Sequence, residues 1–205
     1  FKHYTKGNSD GYGLTSESMQ CLLVDSNTDV WAGSWGDGLH KLNKESNNFE
    51  RLPFSASASK ADNVVATALN SASVWTLLED SNNNLWIGTH DGGLNFYDSK
   101  ALTFSSYVHS VSNSESLSNN LVWSLLEDSQ GYIWVGTAWG LNRMDPNTRK
   151  FTQFFSDEND HTRLSNNSFV ALLEDRGRRL WIGTDSELNL FHPEHETLSV
   201  CHSEQ

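Results

Sequence analysis

The 205 residues predict an all-β chain, and three observations carry that reading. A motif of about fifty residues recurs four times, short apolar runs alternate with turn-forming residues, and no long window holds an uninterrupted helical stripe. The recurrence is a set of fixed columns. Asp25-Ser-Asn-Thr-Asp-Val-Trp31-Ala-Gly33 returns as Asp80-Ser-Asn-Asn-Asn-Leu-Trp86-Ile-Gly88-Thr89. It then reappears as Asp128-Ser-Gln-Gly-Tyr-Ile-Trp134-Val-Gly136-Thr137 and as Asp175-Arg-Gly-Arg-Arg-Leu-Trp181-Ile-Gly183-Thr184. Successive tryptophans are separated by 55, 48 and 47 residues, and a Leu-Leu pair precedes each Asp.

Each unit reads as four short strands. In the third, Val122 to Glu127 is apolar on both faces, as a buried strand requires, and Ile133 to Thr137 is rich in β-branched residues. Leu141 to Met144 and Phe151 to Phe155 complete it. Ser129-Gln130-Gly131, Asn82-Asn83-Asn84 and Asp145-Pro146-Asn147 supply the turns. Four-stranded antiparallel units at this period are the blades of a β-propeller, with approximate bounds 1–54, 55–109, 110–156 and 157–205. Four blades make a partial propeller.

The recurring columns then take structural roles. A blade buries both faces only against neighbours, so Trp31, Trp86, Trp134 and Trp181 are expected to fill the gaps between blades. Gly33, Gly88, Gly136 and Gly183 allow close backbone approach beside those indoles. Asp25, Asp80, Asp128 and Asp175, at the ends of the first strands, are placed to hold turn amides. Cys21, Thr76, Ser124 and Ala171 share one column, where small side chains suit a strand crowded near an axis.

Composition narrows function. The net charge is −12, and the few basic residues are scattered apart from Arg176, Arg178 and Arg179. Binding to nucleic acid through counterion release is therefore not expected. No window approaches the length of an apolar membrane span, and no signal-peptide pattern follows Phe1. Cys21 and Cys201 are expected as free thiols.

The third unit, from Ser116-Leu-Ser-Asn-Asn through Leu125-Leu126-Glu127-Asp128 to Trp134-Val-Gly-Thr, resembles the two-component regulator propeller repeat. The fourth is similar from Leu164-Ser-Asn-Asn onward. The second keeps Leu77-Leu-Glu-Asp80 and Trp86-Ile-Gly-Thr behind a longer Ser/Ala-rich lead-in from Ser55 to Ser73. The first departs most, with Ser34 after Gly33 and Val24 before Asp25. The resemblance implies a non-enzymatic sensor region: the periplasmic part of a bacterial membrane signalling protein, ahead of a histidine kinase or a GGDEF-type diguanylate cyclase. It also implies more blades than four and a homodimer formed through the parent protein. Phe1-Lys-His-Tyr4 resembles the closing strand of a preceding unit, so the expectation is a segment of a longer array, either an open arc or closed by self-association.

Propeller loops on one face usually carry binding. Here they hold Trp35 and Asp37, His90 and Asp91, Trp139, and Asp185 and Glu187. An exposed indole beside carboxylates and amides suits a saccharide or another polar small molecule; the plainer alternative is that Trp35 and Trp139 only cover the blade tops. Catalysis would need paired carboxylates with separated pKa values, and no nucleophile–base pairing is visible. His192-Pro-Glu-His195 has a metal-ligand spacing but falls at a repeat turn, and Asp80-Ser-Asn82-Asn-Asn84 lacks the downstream Glu of a calcium loop. No metal, cofactor or catalytic residue is assigned. The alternatives to a sensor are a protein-interaction scaffold and a carbohydrate-active propeller enzyme.

Overall fold

The computed structural model describes residues 4, 14, 18–55, 64–157, 159–160 and 162–201. Two compact units divide the chain, Phe1–Val108 and His109–Gln205. Each contains two antiparallel blades, and no helix occurs among the described residues.

In the first unit, one blade is β1 (Met19–Val24), β2 (Val30–Ser34), β3 (Gly38–Asn43) and β4 (Asn48–Arg51), paired in that order. The other contains β6 (Val74–Glu79), β7 (Leu85–Thr89), β8 (Leu94–Asp98) and β9 (Thr103–Tyr107), with β5 (Val64–Ala66) added along β9. In the second unit, β10 (Val122–Glu127), β11 (Ile133–Thr137), β12 (Leu141–Met144) and β13 (Phe151–Phe154) form one blade. Its neighbour is β14 (Phe169–Glu174), β15 (Leu180–Thr184), β16 (Leu188–His192) and β17 (Thr197–Val200).

The second blade therefore has five strands where the repeat predicts four, and the lead-in segment explains it. In the other unit, the segments entering blades three and four touch their own outer strands by single backbone bonds, Phe151 N–H to Glu115 O at 3.0 Å and Leu198 N–H to Thr162 O at 2.8 Å. The longer lead-in of blade two extends the same contact into a ladder, pairing Ala66 with Phe104 and Val64 with Ser106. Residues 56–63 of that lead-in, and the Phe1-Lys-His stretch, lie outside the described residues. Tyr4 stands edge-on to Phe49 at 5.3 Å, and its hydroxyl donates to Asn47 Oδ1 at 2.8 Å.

The first hairpin of every blade is built on one aspartate. The Oδ1 of Asp128 accepts the N–H groups of Gln130 and Tyr132 at 2.9 and 3.0 Å, while Oδ2 accepts the Trp134 indole N–H at 2.7 Å. The indole bond recurs from Trp31 to Asp25 at 2.9 Å, from Trp86 to Asp80 at 2.8 Å and from Trp181 to Asp175 at 2.9 Å. With the indole as the largest contributor, these donors pull the Asp175 carboxyl down to about 2. The third residue after each Asp adopts left-handed backbone: Thr28 (φ 62), Asn83 (φ 62), Gly131 (φ 86) and Arg178 (φ 61). This is the three-residue hairpin in which a type I turn ends on a left-handed residue. Only the third blade uses glycine there, and Thr28 is the costliest occupant because its Cβ is branched.

Tight pairs of blades share a core within each unit. Trp31 and Leu39 of the first blade pack with Leu85, Ile87 and Tyr97 of the second, with Trp31 edge-on to Tyr97 at 5.8 Å. Trp134 and Leu141 pack likewise with Leu180, Ile182 and Phe191, Trp134 standing edge-on to Phe191 at 4.8 Å. The indole of one blade thus fills the gap against the next. Gly33, of the glycine column, has a different neighbour from the one expected. Gly33 lies opposite Cys21, and a Cβ there would come within 2.5 Å of Cys21 Sγ and 2.6 Å of Val74 Cγ1. Close approach is therefore made to the inner strand and the next blade, not to the indole. Burial raises the Cys21 thiol to about 12, and Cys21 and Cys201 are both free.

A polar clasp supplements that core. The two carboxylate oxygens of Glu79 accept Ser26 N–H and Ser26 Oγ–H, both at 2.7 Å. Glu174 receives Ser129 in the same way at 2.9 and 2.7 Å. The last residue of one inner strand therefore grips the first turn of the blade before it, through charge-assisted bonds.

Trp134→Ala is expected to lower the unfolding free energy by roughly 3–5 kcal/mol, and Trp181→Ala by clearly less because that residue is only partly buried. Urea titrations compare the two. Thr28→Gly is expected to raise stability by about 1 kcal/mol, seen as a higher midpoint at constant slope.

Candidate functional site

The loops after the second strands hold every residue of the proposed binding face, and the two units divide them. In the first unit Trp35, 45% exposed, stands edge-on to His90 with ring centroids 4.8 Å apart. Trp75, which belongs to none of the recurring columns, completes the cluster at 5.6 Å from Trp35 and 6.5 Å from His90. A β-bulge puts it there. Val74 pairs with Thr89 and Thr76 with Gly88, so Trp75 is the extra residue on its strand. Such a residue is released from strict inside–outside alternation and is re-aimed at the loops. The main chain fixes the other two rings, Trp35 N–H donating to Ser18 O at 2.9 Å and His90 N–H to Ser73 O at 3.0 Å.

The carboxylates predicted beside them are engaged in local structure. Asp37 Oδ1 lies 2.6 Å from Arg51 Nη1, and its Oδ2 lies 3.4 Å from the buried His40 Nε2. Asp91 accepts the Ser71 hydroxyl at 2.6 Å. Burial holds the His40 imidazole below its ordinary 6.5, against the opposing pull of Asp37. The equivalent third-strand position carries Asn95, Asn142 and Asn189 in the other blades. Asn142 there accepts Ser118 N–H at 2.8 Å and donates to Ser118 Oγ at 2.8 Å.

In the second unit, Trp139 and Glu187 line a cavity of about 700 Å³ together with Asp157, Arg163, Asn166 and Asn167. Trp139 is 58% exposed. Its loop is fixed by Gly140 (φ 100), whose N–H donates to Asn167 O at 2.8 Å; a Cβ at Gly140 would come within 2.7 Å of the Phe155 ring. Asn167 Oδ1 accepts Ser156 N–H at 2.7 Å and Asn166 Oδ1 accepts Ser168 N–H at 2.8 Å, which sets both amides. Asp160 accepts Thr162 N–H and Oγ–H at 3.0 and 2.6 Å and holds Arg163 Nε at 3.2 Å. The Thr162 hydroxyl chiefly lowers its carboxyl below the usual range. Asp185 is not among the lining residues; its N–H donates to Ser168 O at 3.2 Å. The acidic loop Asp157-Glu-Asn-Asp160 was visible in the sequence as a run ahead of Leu164-Ser-Asn-Asn, but nothing in it marked which side chains would face Trp139.

The cavity thus combines an exposed indole, carboxylates, amides and one tethered guanidinium. That set suits hydrogen bonding to a hydroxyl-rich ring. His192 closes β16 and His195 lies in the turn to β17, where its N–H donates to His192 O at 3.3 Å, and His192 Nε2 is 2.8 Å from Ser199 Oγ. Among the described residues no group of three His, Cys, Asp or Glu side chains could hold a metal.

The model of the two component regulator propeller family matches residues 68–91, 116–139 and 163–186. The chain carries two component regulator propeller repeats. Each matched stretch runs from the segment entering a blade, through the Leu-Leu-Glu-Asp turn, to just past the Trp-x-Gly-Thr strand. No curated protein matches the sequence. Among solved structures, the extracellular domain of a B. thetaiotaomicron protein described as a hybrid two component system superposes with a TM-score of 0.75 at 21% identity. That match covers 94% of this chain and 25% of the other, so the repeats described here span about a quarter of that chain's length. Virginiamycin B lyase from Staphylococcus aureus gives a TM-score of 0.65 at 11% identity, over 94% and 58% of the two chains. An auxiliary nutrient binding protein from Bacteroides ovatus gives 0.56 at 8%, over 92% and 48%. At such identities the likeness is one of fold: regulator propeller repeats arranged as a partial β-propeller.

His40 generates a pH dependence with a definite sign. A histidine whose folded pKa is depressed leaves stability intact above its unfolded value and removes it as protons bind the unfolded chain. Unfolding free energy is expected to decline as pH falls below 6.5, and His40→Asn, the residue of the other blades, to flatten that decline. Denaturant titrations at several pH values read both.

Proposed function

We propose that this chain is a non-catalytic, extracytoplasmic ligand-sensing segment of a bacterial membrane signal-transduction protein, of the two-component kinase or GGDEF class. The observation that carries the reading is the match of three successive repeats to the two component regulator propeller model. The similarity to an extracellular domain of a hybrid two component system supports the same compartment. Among the described residues no helix is long and apolar enough to cross a membrane.

The ligand is a saccharide or comparably polar small molecule, bound in the cavity at Trp139. A sugar ring presents an apolar face to the indole while its hydroxyls donate to Glu187 and Asp157 and accept from Asn166 and Asn167. Trp35 and His90, with Trp75, are a second aromatic surface on the other unit. Binding biases packing against neighbouring blades and a dimer partner, and that bias is the signal.

A panel of oligosaccharides titrated by calorimetry tests this. A ligand should emerge whose affinity drops at least about tenfold in Trp139→Ala, the loss of roughly 1.4 kcal/mol of stacking. Equal affinity in the variant would remove the cavity from the site. A kinase or cyclase module after a transmembrane helix in the parent gene supports sensing; turnover of an oligosaccharide favours the enzyme alternative, and capture of a protein alone favours a scaffold.

A further inference from the structure

We infer that the cavity at Trp139 selects a sugar carrying a protonated amine, received by Asp157 and Glu187. The inference rests on the reading of that cavity as a saccharide site. Two connections of the second unit follow one backbone path. Asn113 N–H donates to Ser110 O and Ser116 N–H to Asn113 O, both at 3.1 Å. The bonds from Asp160 N–H to Asp157 O and from Arg163 N–H to Asp160 O repeat them, again at 3.1 Å. His109 N–H reaches Asn120 Oδ1 at 2.7 Å, and Ser156 N–H reaches Asn167 Oδ1 at 2.7 Å. The loops after the second strands match as well, Thr137 N–H donating to Gly140 O and Thr184 N–H to Glu187 O. The third blade holds this backbone with neutral residues, Ser110, Asn113, Ser116 and Gly140. The fourth puts Asp157, Asp160, Arg163 and Glu187 at the same four positions, and all four line the cavity. The fold does not call for these charges.

Their sum has a sign. Arg163 Nε lies 3.2 Å from Asp160 Oδ2, so that pair is neutral as a unit, and Thr162 takes the other oxygen of Asp160 through its N–H and hydroxyl. Asp157 and Glu187 are left. Asp157 Oδ1 accepts the Asn159 N–H at 3.0 Å, and among the described residues neither carboxylate pairs with a lysine, arginine or histidine. An ammonium gains from two such carboxylates and again from the face of an indole. Trp139, 58% exposed in the same cavity, supplies that face. A hydroxyl in place of the amine keeps a hydrogen bond but forgoes the charge. A uronate would meet two like charges, and the one guanidinium is already held by Asp160. The net charge of −12 acts in the same direction at longer range.

Calorimetry on the full chain compares a chitosan oligosaccharide with its fully N-acetylated counterpart of equal length, below the pKa of the sugar amine. An oligogalacturonate and spermidine are further arms. The free-amine sugar is expected to bind about tenfold more tightly than the acetylated one. That advantage should vanish in the double variant Asp157→Asn, Glu187→Gln, and shrink as salt is raised. Trp139→Ala should weaken both sugars. Equal affinity for the two sugars, or an advantage that survives the double variant, overturns the inference and leaves the saccharide reading standing. Tighter binding of the galacturonate does the same and assigns the cavity to Arg163. Spermidine that matches the free-amine sugar in both wild type and Trp139→Ala overturns it in favour of charge alone. Binding of no sugar at all overturns the saccharide reading together with the inference.

Discussion

One hydrogen-bonded unit underlies all four blades: an aspartate whose two oxygens are divided between the turn amides and the indole six residues on. A buried tryptophan needs a partner for its N–H, and a tight turn needs an acceptor for its inward amides. Asp128 meets both demands at once, and the same geometry recurs at Asp25, Asp80 and Asp175. The turn therefore cannot form in another register without releasing the indole, and the indole cannot leave the gap without freeing the carboxylate. Local structure and blade-to-blade packing become a single commitment.

This coupling is why so much of the fold was legible in the sequence. The Asp, Trp and Gly columns fix strand identity and register, and the structure's strands begin and end within a residue of the bounds read for the third unit. What could not be read were relations without a column. The indole–carboxylate bond was hidden because the Asp had a sufficient duty in the turn. The fifth strand of blade two was hidden because its Ser/Ala-rich lead-in carries no alternation.

The candidate site was legible in part, for a physical reason. Loop position identifies which residues reach the binding face, but not which of their charges are already taken. Asp37 and Asp91 sit in the predicted loops and are engaged by Arg51 and Ser71, whereas Trp139 and Glu187 line open space. Arg163 and Asp157 come from the connection between blades, whose path is set by backbone bonds to the blade it enters. Trp75 was missed because its significance lies in a ladder irregularity that no pattern of residue types announces.

That irregularity has a wider consequence. Each inner strand slips register between its first and third residues, so each blade owns one residue outside the strict pairing of its first hairpin. The position is held by Gln20, Trp75, Trp123 and Val170, a set that runs from a polar amide through two indoles to a small aliphatic side chain. The ladder pairs the residues on either side of it in the same way whichever side chain stands there. One position per repeat can therefore change what a blade presents beside its loops while the Asp, Trp and Gly columns keep their pairing.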